Sequence, residues 1–293
     1  MILIAGCGFL GQYLLKELLS KIDDSILCTY CTNKPQLKYD VNKRVIFTKC
    51  DMTSKNDLLK LKRLCTGEKL TVFYFAAIHN IDAVYYHPKE AKKVNIEALE
   101  RFLKTVHNIE KLYFASTDCV YGESKSGQTP FKETDVCEPI NEYGRQKLEA
   151  ESLVLKAGFN VFRFSLLYGA SLSEKQNFYD KTSWSLQKGV SVEMVEGLAR
   201  NAITYKKAAE STVKLALERE DIPQILNIAG DKLLTKYDLG LCIAADCCVT
   251  SDLVKPINES EGQKFFAERR ASVISIDNSL LKDYLYNTCD MEK

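Results

Sequence analysis

Apolar positions along the chain follow two alternating rhythms. Short apolar runs of strand type occupy 1–5, 25–30, 44–49, 70–77, 111–116, 159–164 and 224–229. Between them the spacing turns helical: 12–21 carries Tyr13, Leu14, Leu15, Leu18 and Leu19, and 55–64, 91–106, 204–218 and 235–245 read the same way. Ser54 is placed to cap the 55–64 helix. Strand and helix alternate, which predicts a doubly wound parallel sheet of the α/β class. Past Tyr168-Gly169 the pattern loosens. Residues 170–181 read as a polar loop, and 254–275 as irregular chain around Arg269-Arg270. This tail is expected to form a smaller C-terminal lobe over the strand ends, where such sheets bind ligands.

Composition narrows the class. A formal net charge of +1 over 293 residues gives no nucleic-acid footprint. No apolar run reaches membrane-spanning length, and the N-terminal run lacks a basic flank and is broken by glycines, so it reads as a first strand. Eleven cysteines and three histidines are present. Cys28 and Cys31 form a C-x-x-C, but the only matching pair, Cys247-Cys248, is adjacent, so no metal site is expected. Free thiols in that number point to a reducing cytoplasm.

Two motifs carry chemistry. The first is Gly6-Cys7-Gly8-Phe9-Leu10-Gly11, set between the first strand and the first helix. Glycines in that setting permit a tight turn and close backbone approach, with the helix N-terminus facing a pyrophosphate. A carboxylate for a ribose 2′-hydroxyl belongs at the end of the second strand. That end reads Cys28-Thr29-Tyr30-Cys31-Thr32-Asn33-Lys34. Without a carboxylate there, Lys34 or a threonine such as Thr29 could hold a 2′-phosphate, which favours NADP over NAD; a solvated Lys34 is the alternative. The second motif is Tyr143 and Lys147, four residues apart and so on one helix face. An ammonium beside a phenol favours the phenolate, lowering a pKa normally near ~10. Such a pair can pass a proton to or from a substrate oxygen.

These motifs, with Asp51-Met52, Ala76-Ala77, Asn95 and Ser116-Thr117-Asp118-Cys119-Val120-Tyr121-Gly122, resemble the extended short-chain dehydrogenase/reductase superfamily, in its epimerase/dehydratase group. Residues 116–121, 163–169 and 270–277 look most like the dTDP-4-dehydrorhamnose reductase branch. The resemblance implies a Rossmann-like fold, with 1–165 and 201–229 binding NADP or NAD, and 166–200 and 230–293 forming the substrate lobe. It implies that Thr117 hydrogen-bonds the substrate oxygen, that Tyr143 is the acid/base, and that Lys147 binds the nicotinamide ribose and tunes Tyr143. Gly6, Gly8, Phe9, Leu10, Gly11, Thr29 and Lys34 would line the dinucleotide, Asp51 and Met52 would flank the adenine, and Ala76, Ala77 and Asn95 would line the cleft. Arg200 and Arg270 fall near positions that bind a nucleotide diphosphate, although each can equally be a solvated arginine.

The same resemblance leaves three functions to weigh: reduction of a nucleotide-linked keto-sugar, epimerisation, or a non-catalytic cofactor-binding regulatory subunit, the role one relative plays for a methionine adenosyltransferase. A homodimer fits any of them. Cys119 stands where 4,6-dehydratases have Glu, which disfavours dehydration. GDP-fucose synthase has a catalytic Cys there. Cys119 is therefore read either as a thiol that removes a proton beside a ketone or as a small apolar residue near the site. Two departures stand out. The glycine turn is short between its first two glycines, and Ala271 replaces a proline of the reductase branch.

Overall fold

All seven apolar runs become strands of one sheet in the computed structural model, which describes residues 1–41 and 43–286. The strands are β1 (Ile2–Ala5), β2 (Ile26–Tyr30), β3 (Val45–Lys49), β4 (Leu70–Tyr74), β5 (Ile109–Thr117), β6 (Asn160–Phe164) and β7 (Ile225–Ile228). Their order is β7-β6-β5-β4-β1-β2-β3, and every neighbouring pair is parallel. Leu3, Ile4, Val72 and Phe73 are wholly buried, as a parallel sheet covered on both faces requires.

Helices supply those covers. On one face, α1 (Phe9–Lys21) and α5 (Tyr205–Glu218) pack Leu14, Leu15, Leu18, Ala208, Ala209 and Val213 onto the sheet. On the other, α2 (Lys55–Leu64), α3 (Ala98–Thr105) and α4 (Glu142–Lys156) contribute Leu58, Leu61, Leu99, Phe102, Ala150 and Val154. The strand order reverses between β1 and β4, which opens a crevice at their carboxyl ends. A separate apolar cluster of Leu186, Met194, Ile243, Ala244 and Val254 gathers the helices Phe178–Gln187 and Lys236–Asp246 with two short strands. Among the described residues no helix is long and apolar enough to cross a membrane. Residues 287–293, expected at the end of the C-terminal lobe, lie outside the described residues.

Several expectations need correction. The run 70–77 is a strand only to Tyr74, so Ala76-Ala77 sit in the loop beyond. The single helix expected over 91–106 is instead Pro88–Lys92, a π-helical turn at Lys93–Glu97, then α3. The 170–181 loop ends early, because Asn177 and Asp180 form a reciprocal capping box that starts a helix at Phe178. The irregular tail contains the strand Val254–Ile257, parallel to Val192–Val195, and Val273–Ile274, parallel to Ala199–Arg200. Each of these short strands is defined by a partner roughly sixty to seventy-five residues away, which local periodicity does not report.

Helix α4 is fixed to the sheet by a buried ion pair. Glu151 takes Nη2 of Arg163 at 2.7 Å and Nε at 3.0 Å, and the two side chains are 1% and 3% exposed. Ser116 on β5 donates to the same carboxylate. Arg163 also donates to the Tyr121 hydroxyl at 2.9 Å, which donates to Asn227 on β7 at 2.8 Å. Removing one partner of such a pair strands the other charge. Glu151→Gln is expected to cost about 3–5 kcal/mol in urea unfolding; a loss under about 1 kcal/mol would mean that Arg163 finds its compensation elsewhere.

Candidate functional site

The glycine turn closes the crevice at the end of β1. Gly6 has a φ of 101°, and a Cβ there would lie 2.7 Å from the Ala76 backbone nitrogen, so only glycine lets the two crevice loops touch. Thr29 is buried, and its hydroxyl accepts the Gly6 N–H at 2.9 Å. It braces the turn from below and does not reach toward a 2′-phosphate. Gly11 lies inside α1 against the Gly6 carbonyl, and Leu10 is buried in the core. Gly8 differs: it is exposed, and a Cβ there meets nothing within 4 Å. It faces open space at the start of α1, beside Phe9. That arrangement fits a dinucleotide pyrophosphate, because free backbone and a helix N-terminus meet at a position that a side chain would fill.

The remaining expected cofactor residues surround this turn. Lys34 is exposed, with its ammonium 5.2 Å from the centre of the Phe47 ring. Asp51 accepts from the Thr53 N–H at 2.8 Å and from its hydroxyl at 2.7 Å, and Met52 is buried. Asn95 sits on the π-turn. It accepts the Ile78 N–H at 2.8 Å and donates to the Ile78 carbonyl at 3.1 Å and to Gln146 at 3.0 Å. It therefore ties the loop after Ala76-Ala77 to α4 and does not itself line an open cleft wall.

Thr117, Tyr143 and Lys147 lie at the end of β5 and in the first turns of α4. Thr117 ends β5. Its hydroxyl donates to Asp118 at 3.2 Å and accepts the Cys119 N–H at 3.2 Å. Helix α4 begins at Glu142, with Asn141 as its N-cap. Gly144 lets the helix approach, since a Cβ there would lie 2.5 Å from the Cys119 carbonyl oxygen. Tyr143 then packs with Val84, Ala91 and Cys119. Lys147, one turn on, is 2% exposed, with its Nζ 3.8 Å from the centre of the Phe114 ring.

Burial dominates the electrostatics. It raises the Tyr143 phenol, and Cys119 and Asp118 add to the shift. This is the reverse of the lowering expected from Lys147. Burial depresses Lys147 to about 7, opposed by Glu151. It also raises Asp118 despite Arg200 and the Ser165 and Thr117 hydroxyls. Cys119 is pushed up to about 12 by burial and Asp118. Its side chain packs beside Val84, Ala91 and Tyr143.

Neither Arg200 nor Arg270 is a free surface arginine. Arg200 donates to the carbonyls of Ala199 and Ala271 at 2.7 and 2.8 Å and lies 3.9 Å from Asp118. Arg270 pairs with Asp82 at 2.8 Å. The residues that sequence reasoning passed over are Asp118, Gln146, Glu151 and Asp82. Asp118 lay inside a quoted motif, and Glu151 stands four residues beyond Lys147 on the same helix face, a signal that was available.

A family model for the RmlD substrate binding domain matches residues 1–288. The chain belongs to the RmlD family. The beta subunit of methionine adenosyltransferase 2 from Bos taurus is 26% identical to this RmlD-family chain over 270 residues, 88% of this chain and 75% of that protein. A Bacillus subtilis protein named as an uncharacterized UDP-glucose epimerase is 30% identical over 251 residues, 78% of this chain and 76% of its own. Among solved structures, a hypothetical dTDP-4-dehydrorhamnose reductase from Sulfolobus tokodaii superposes with a TM-score of 0.77 at 23% identity, covering 98% of this chain and 95% of its own. A UDP-glucose 4-epimerase from Thermus thermophilus, solved with NAD, gives 0.80 at 20% identity, covering 98% and 94%. These two establish the Rossmann-like fold of the RmlD-family chain.

Lys147 gives this site a pH signature. Its folded pKa of about 7 lies below the ordinary 10.5. Below pH ~7 both states hold the proton and burial is penalised in full. Between ~7 and ~10.5 the unfolded chain keeps a proton that the folded chain has released, so stability rises with pH. Wild type should therefore gain stability relative to Lys147→Met across that interval, as read from urea unfolding at each pH. A constant difference between the two proteins would show that Lys147 keeps an ordinary pKa.

Proposed function

We propose that this chain is an NAD(P)-dependent reductase of a nucleotide-linked keto-sugar. What supports the reading is that Thr117 ends β5, that Tyr143 and Lys147 lie one turn apart at the start of α4, and that the turn after β1 leaves Gly8 open, in a chain of the RmlD family. A bound nicotinamide supplies the hydride. Tyr143, held protonated by its burial, delivers a proton to the carbonyl oxygen as that oxygen becomes an alkoxide. Thr117 turns its hydroxyl from Asp118 to the same oxygen. Lys147 lies one turn on from Tyr143 and titrates near neutrality, which leaves it placed to meet the nicotinamide ribose. Glu151 in turn keeps Lys147 from losing its proton outright. A raised phenol is a weaker acid than a free one, so its proton moves only as the carbonyl oxygen gains alkoxide charge beside it.

Helix α1 and Gly8 would hold the pyrophosphate, with Asp51 and Met52 beside the adenine. The end of β2 offers no carboxylate to repel a 2′-phosphate and places Lys34 near it, which supports NADPH over NADH. The substrate lobe would be 166–200 with 230–286, and Arg200 and Arg270 would meet the nucleotide diphosphate. Epimerisation is the close variant, and the Bacillus subtilis relative is named as an epimerase. A different reading, a cofactor-binding regulatory subunit, is favoured by the 26% identity to a methionine adenosyltransferase subunit.

A panel of nucleotide keto-sugars assayed with NADPH and NADH tests the reading directly. Tyr143→Phe should lower kcat by about 10² to 10⁴ with cofactor affinity unchanged. Full turnover in that variant would mean the proton comes from another group, and cofactor binding without any turnover across the panel would favour the regulatory subunit. Gly8→Val should abolish cofactor binding while circular dichroism stays native, since a Cβ there meets nothing within 4 Å. Normal titration of that variant would remove the glycine turn from the cofactor site.

A further inference from the structure

The segment that follows the helix Glu259–Gln263 is tied to both elements flanking Tyr143. The first is the helix Ile81–Tyr86, whose Val84 packs on Tyr143. Its Asp82 accepts the Ala267 N–H at 2.9 Å and pairs with Nη2 of Arg270 at 2.8 Å. The second is α4, where Glu268 accepts the N–H of Glu142 at 3.0 Å and faces Arg145 at 3.5 Å. Arg270 completes the tie by donating to the Glu268 carbonyl at 2.8 Å, with its guanidinium 4.6 Å from the centre of the Phe266 ring. Residues 266–270 are thus pinned within one residue of the proposed acid.

Two features of these ties bear on how a ligand would meet Arg270. The Asp82 carboxylate on Arg270 presents the oxygens that a phosphate group presents to a guanidinium. The second Glu268 oxygen is buried with no hydrogen-bond partner among the described residues. A carboxylate oxygen left so is unfavourable. We propose that Asp82 holds on Arg270 the place of a substrate phosphate, so that a nucleotide diphosphate binds by displacing Asp82 and freeing 264–270. The proposal rests on the nucleotide-sugar reading of this cleft. Asp82 then sets affinity for the anion without touching the reacting atoms.

Inorganic pyrophosphate and UDP serve as probes, titrated by calorimetry into the whole chain. Asp82→Asn keeps the shape and the acceptor oxygen but removes the charge. It should bind both probes about fivefold more tightly than wild type, the scale of a partly exposed ion pair. Arg270→Met should bind weakly, and the double variant should resemble it. Hydrogen exchange without ligand should show 264–270 opening faster in Asp82→Asn. Should that variant unfold, Asp82→Ser gives the same comparison. Unchanged or weaker binding in a folded Asp82 variant overturns the proposal, even if its exchange is faster. Failure of both probes to bind wild type and variant alike also overturns it. The reductase reading is judged separately, by NADPH titration and by the Tyr143→Phe assay, neither of which depends on Asp82.

Discussion

The placement of the reactive groups depends on the Glu151–Arg163 ion pair. Two charges so far from water are tolerable only together, and each further polar contact of the pair reaches a different element. Glu151 rides on α4, Ser116 on β5, Arg163 on β6, and through Tyr121 the chain of bonds arrives at Asn227 on β7. A helix held that way cannot slide or roll along the sheet. Tyr143 and Lys147 inherit their distance from Thr117 from this anchorage, with Gly144 allowing the final approach. The pair also conditions Lys147. Glu151 is already engaged with a full positive charge, so it offers Lys147 only part of its field, and burial then wins.

Much of the architecture was legible because it is written locally. Strand, glycine turn and helix follow one another in the first twenty residues, and β/α alternation continues to residue 229. The Tyr143–Lys147 spacing placed both side chains on one face of α4. What local pattern could not convey was the protein-wide dielectric. Spacing predicted that Lys147 would lower Tyr143; enclosure by Val84, Ala91 and Cys119 reverses the sign. Similarly, Thr29 reads as a rim residue from its position at a strand end, and only the backbone of Gly6 beside it shows that its hydroxyl is spent inward. Arg200 and Arg270 look alike as surface cations in one dimension. Their partners, Asp118 and Asp82, stand 82 and 188 positions earlier, beyond the reach of any periodicity.

Membership in the RmlD family constrains fold more tightly than task. The relatives named above include an epimerase and a subunit of another enzyme, and the sheet and crevice serve either.

The π-turn at Lys93–Glu97 bears on length instead of chemistry. One extra residue per turn shifts everything after it by about 100° relative to an uninterrupted α-helix. That offset lets a single helical run show Asn95 to the loop at Ile78 while Leu99 and Phe102 face the sheet. A protein with one residue fewer here could keep every side-chain type and still lose one of the two faces. Insertions and deletions, which loops absorb freely, are therefore forbidden at this point of an otherwise ordinary surface helix.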